Sequence, residues 1–71
     1  MAATFGRLMV ELRFQRKAAR QELKRATGIA WNRLRYIEEG LRVPDIDELV
    51  RLAQFYGVDA AELFIRTRKG L

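Results

Sequence analysis

The chain contains no cysteine, no histidine and no serine, and only one proline. Without cysteine there can be no disulfide and no thiolate metal site; without histidine the commonest general base and zinc ligand is missing as well. Thr4, Thr27 and Thr67 have no imidazole to activate them, and no glycine-rich phosphate loop exists. These absences point away from an enzyme, a metal site or a bound cofactor, and no small-molecule ligand is evident. No apolar run approaches the roughly 18 residues that would span a bilayer, and the N-terminus lacks a signal-peptide core. A thiol-free chain of this kind is expected in the cytoplasm. Strand signals are also missing, with neither alternating polarity nor an Asn-Gly or Asp-Gly hairpin turn.

What remains is 71 residues with a net charge of +5, enough for one small domain. The positive excess is uneven. Arg7, Arg13, Arg16, Lys17, Arg20, Lys24 and Arg25 face only Glu11 and Glu22 in the first 28 residues, whereas acids slightly outnumber bases beyond residue 44. A basic half is the electrostatic footprint of a polyphosphate partner, although charge alone fits a solvated surface equally well.

Apolar spacing indicates an all-α fold of five short helices. After Thr4 as a cap, Phe5, Leu8, Met9 and Leu12 share one stripe with the stem of Arg16, giving a first helix over about 5–16. A second helix over about 20–26 buries Leu23 and Ala26. Gly28 makes the turn, and a third helix runs over about 31–39 to Gly40, with Leu34 and Ile37 facing inward. Pro44 marks a connector. The pair Asp45 and Glu48 forms a capping box for a fourth helix through Leu49, Leu52, Ala53 and Tyr56 to Gly57. Asp59 and Glu62 repeat the box for a fifth helix. Residues 1–65 thus form the domain, and residues 66–71 are expected to be a frayed basic tail.

Two short helices joined by a Gly-containing turn form a unit that can lay its second helix in the DNA major groove. The order of the motifs resembles the Cro and repressor helix-turn-helix family, the XRE family, whose domain is the lambda-repressor type. The resemblance rests on Gln21-Glu22-Leu23 with Thr27-Gly28-Ile29, on Tyr36-Ile37-Glu38-Glu39-Gly40 with Pro44, and on Leu52 to Asp59 with Glu62-Leu63-Phe64. It covers about residues 5–64. It implies a compact five-helix domain that binds operator DNA, usually as a homodimer, to regulate transcription. Three positions depart from the family pattern: Ala19 and Ala30 stand where polar helix caps are usual, and Lys24 stands where alanine packs between the second and third helices.

The third helix shows Trp31, Asn32, Arg35 and Tyr36 to solvent, with Arg33 at its flank, and all five are candidate base contacts; by family register Trp31, Asn32 and Tyr36 match positions that meet base edges. Asn suits an adenine edge and Arg a guanine edge, whereas the aromatics can meet thymine methyls, the sugar wall or a protein neighbour. Arg20 and Arg42 are expected on phosphates by the same register, with Lys17 and Lys24 as weaker candidates. Glu38 is expected to be structural, tying the third helix to backbone or arginine. Phe55, Phe64 and Ile65 are the candidate dimer surface, and Val10 with Phe14 a possible second interface. Two rivals stay open: a protein-interaction module of the same fold, such as an antitoxin-like or co-regulator subunit, and a nucleoid-type binder without sequence preference.

Overall fold

A computed structural model describes residues 2–69. It holds five helices: α1 (Ala2–Gln15), α2 (Arg20–Thr27), α3 (Trp31–Glu38), α4 (Ile46–Tyr56) and α5 (Ala60–Lys69). No strand occurs among the described residues. The all-α, five-helix expectation therefore holds.

The helix boundaries follow local chemistry. α1 starts at Ala2, so Thr4 lies inside the helix and is not its cap. It ends where Lys17 takes a left-handed φ of 56° and the amides of Lys17 and Ala18 turn back to the carbonyls of Phe14 and Arg13. Gly28 (φ 74°) ends α2, its amide reaching the Lys24 carbonyl at 2.8 Å. Beside it the buried Thr27 hydroxyl donates to the Leu23 carbonyl (2.7 Å) and accepts the Ile29 amide (3.2 Å), which fixes the turn between α2 and α3. α4 opens on a complete capping box: Asp45 accepts the Glu48 amide at 2.8 Å and Glu48 accepts the Asp45 amide at 2.9 Å. At α5 the Asp59 carboxylate accepts the Ala61 amide, while Glu62 pairs with Arg66.

Phe5 and Met9 of α1, Leu23, Ile29, Leu34, Ile37, Leu49, Leu52, Ala53 and Leu63 form one contiguous core, with Leu8, Leu12, Phe55 and Tyr56 packed at its margin. α3 is held between α1 and α2, and α4 joins α2 to α5. Two details differ from the sequence reading. Thr27, not Ala26, is the buried residue at the end of α2, because the hydroxyl satisfies itself on the turn. α5 continues to Lys69 through residues expected to fray. Thr67 is buried and donates to the Phe64 carbonyl at 2.6 Å. Gly70 and Leu71 lie outside the described residues.

α1 lies against the end of α3 at Gly6. A Cβ there would overlap the Glu38 carbonyl oxygen and lie 2.8 Å from that of Ile37. Only a residue without a side chain permits this approach.

Candidate nucleic-acid interface

The inward face of α3 is Leu34, Ile37 and Glu38, all buried. Phase then turns Asn32 and Tyr36 outward and leaves Trp31 at the margin, on the same side of the helix as Glu38; all three are exposed. The orientation on which the sequence reading depended is therefore present. Arg33 and Arg35 are half-buried at the edges of that face.

Arg33 is turned back onto the protein, away from the exposed edge. Its Nε and Nη2 donate to the two Glu48 carboxylate oxygens at 3.0 and 2.9 Å, and Nη2 also donates to the Val43 carbonyl at 3.3 Å. This fork–fork pair joins α3 to the first turn of α4 through the residue that completes the capping box. The Arg33 hydrogen bond holds the Glu48 carboxyl below its ordinary value despite partial burial, and the Arg33 pKa is raised in turn. The expectation of a base contact at Arg33 is accordingly revised to a structural clamp. Arg35 leans along α3, with its Nε 3.3 Å from Glu39 and its guanidinium 5.5 Å from the Tyr36 ring centroid.

Glu38 is structural, as expected, and it holds two arginines. Arg13 Nε and Nη2 donate to its two oxygens at 2.8 and 3.2 Å, and Arg20 Nε donates at 2.9 Å. The carboxylate is 2% exposed, so this cluster is the electrostatic centre of the α1–α2–α3 junction. Burial, followed by the Glu38 charge, pushes the nearby Tyr56 phenol up to about 12. Arg20, expected on a phosphate, is thus bound within the chain, and its guanidinium sits 5.2 Å from the Trp31 ring centroid.

The other cations expected on phosphates keep their exposure. Lys17 stands in the turn before α2, Lys24 on α2 and Arg42 in the connector after α3. Lys24 points to solvent, so it does not push α2 from α3.

Phe55, expected in a dimer interface, is instead half-buried against the core. The Arg16 guanidinium covers its ring at 4.7 Å and Tyr56 meets it edge-on at 5.1 Å. Phe64 and Ile65 are exposed. Phe64 closes an apolar groove between α4 and α5 that Ile46 and Val50 also line. The sequence reading missed those two; an isoleucine directly after a cap, off the core stripe, was the available signal. Phe14 is 66% exposed, whereas Val10 is half-buried. No helix among the described residues is long and apolar enough to cross a membrane.

A family model described as a helix-turn-helix domain matches residues 4–63. No curated protein and no solved structure matches the chain. A domain of that description suggests DNA binding, and the matched span contains every element of the face described above.

Proposed function

This chain belongs to the helix-turn-helix family of the Cro/XRE type, and on that premise we propose that it is a sequence-specific, double-stranded DNA-binding transcriptional regulator of the cytoplasm. α3 enters the major groove. The observation that carries this reading is the exposed Asn32–Tyr36 edge, flanked by Trp31, on a helix whose opposite side is locked into the core. Asn32 can pair with an adenine edge through two hydrogen bonds, and Arg35 can reach guanine from its side of the helix. Trp31 and Tyr36 supply apolar contact to thymine methyls or to the sugar wall. Lys17, Lys24 and Arg42 hold phosphates around the reading edge and position it without choosing sequence. Two protomers meeting through Phe64 and Ile65 present two such helices about 34 Å apart, one turn of B-DNA.

Fluorescence titration of labelled duplexes at several salt concentrations tests this. Log affinity is expected to fall with log salt at a slope near −0.9 per phosphate engaged. Asn32→Ala is expected to remove sequence preference while leaving general affinity in place. A flat salt response overturns the reading, and tight binding with no preferred site supports a nucleoid-type binder instead. The interaction-module rival draws on one observation, the exposure of Phe14 on the face of α1 away from the core.

A further inference from the structure

Trp31 opens α3 and Glu38 closes it, seven residues on. Seven residues are about two helical turns, which puts both on one side of the helix. Arg20, the first residue of α2, bridges them: its Nε donates to the Glu38 carboxylate at 2.9 Å and its guanidinium covers the indole at 5.2 Å. Arg13 fixes the same carboxylate through two hydrogen bonds, one to each oxygen, and its own Nη1 donates to the Ala18 carbonyl at 3.2 Å, just ahead of α2. Side-chain exposure rises from 2% at Glu38 to 12% at Arg13 and 26% at Arg20, so the cluster grades from a buried anchor to a solvent-facing end.

We propose that Arg20 is a positioning residue for Trp31, held by Glu38, and that it fixes the indole that reads DNA rather than gripping a phosphate. The specificity part of this rests on the DNA-binding reading above. An indole at the exposed start of a helix has several staggered rotamers open to it. A guanidinium over one face selects the rotamer that keeps the cation–π contact. Arg20 is itself restrained, because leaving Glu38 breaks a charge-assisted hydrogen bond to a carboxylate that cannot follow it outward. Trp31 as a residue is 37% exposed, and its remaining face is then presented at one angle to the base step it meets.

Trp31 is the single tryptophan of the chain, so its emission reports the surroundings of this one indole. Acrylamide quenching is measured for the unmodified protein, Arg20→Lys, Arg20→Ala and Glu38→Gln, with circular dichroism confirming that each is folded. The same proteins are titrated against a selected duplex and against one mismatched at a single step. All three variants are expected to quench more strongly in the free protein. Arg20→Lys, which keeps the charge, is expected to retain the salt slope yet lose roughly tenfold in discrimination, the scale of one mismatched pair. In a Trp31→Phe background, Arg20→Lys is expected to change discrimination no further. Should Arg20→Ala fail to fold, Arg20→Lys still decides the matter. Unchanged quenching in Arg20→Lys overturns the positioning role. A uniform affinity loss in Arg20→Ala, with the salt slope smaller by about one and preference intact, overturns it in favour of a phosphate contact. If the unmodified protein binds no duplex, the DNA reading and the specificity part fall together, while the quenching still judges the contact.

Discussion

Gly6 leaves almost no latitude at the level of one residue. The atoms an added Cβ would meet are backbone carbonyls at the end of α3, which cannot yield without moving the helix. Gly6→Ala improves intrinsic helix propensity by about 0.5–1 kcal/mol. Overpacking against backbone costs about 1–3 kcal/mol and prevails here. Urea unfolding is expected to show a net loss of stability at an unchanged m-value, and no loss would mean that α1 and α3 are not in contact. Neither this contact nor the second arginine on Glu38 was legible in the sequence. The structural role of Glu38 was, but Arg20 is 18 residues away, and residue types do not encode which of several arginines will reach a given acid.

At the level of the elements, the glycine stops and the Asp45–Glu48 box placed most helix ends within a residue or two. The larger errors have physical causes. Thr27 replaced Ala26 in the core because a hydroxyl can be buried once its hydrogen bonds close on the adjoining turn. The N-cap residues of α2 and α3 are Ala19 and Ala30, neither of which offers a side-chain cap. Ala19 already has the extended φ and ψ of a cap residue (−86°, 157°), so Ala19→Ser is expected to raise stability by about 0.5–2 kcal/mol in thermal or urea unfolding. The Arg33–Glu48 clamp gives a pH signature. The folded carboxyl of Glu48 titrates below its ordinary value of 4.5. The stability it contributes is therefore complete above 4.5 and is lost as pH falls from there through the lowered folded value. Unfolding followed across acid pH is expected to show a shallower loss in Glu48→Gln than in the unmodified protein. Equal slopes would remove the clamp from the account.

At the scale of the molecule, the fold class and the orientation of the reading edge were both legible, since each follows from helical phase. The candidate association surface was less so. Phe55 read as exposed because phase alone does not show that Arg16 can fold across its ring from another helix. The apolar groove lies instead between α4 and α5, where Ile46 and Val50 accompany Phe64. If copies of the chain meet there, Phe64→Glu is expected to convert a concentration-dependent dimer to monomer in sedimentation velocity and to weaken binding to two-half-site duplexes far more than to single half-sites. A molecule that is monomeric at all concentrations would direct attention to Phe14 and a different protein.

The close seat of α1 on the last carbonyls of α3 has a practical corollary. With its far end pressed against Gly6 and its flank tethered through Arg33, α3 has no freedom to roll when its outer residues are exchanged. If α3 reads DNA as proposed above, new side chains installed at positions 32 and 36 inherit the same angle of approach, and the domain becomes a fixed mount on which a different target preference can be written.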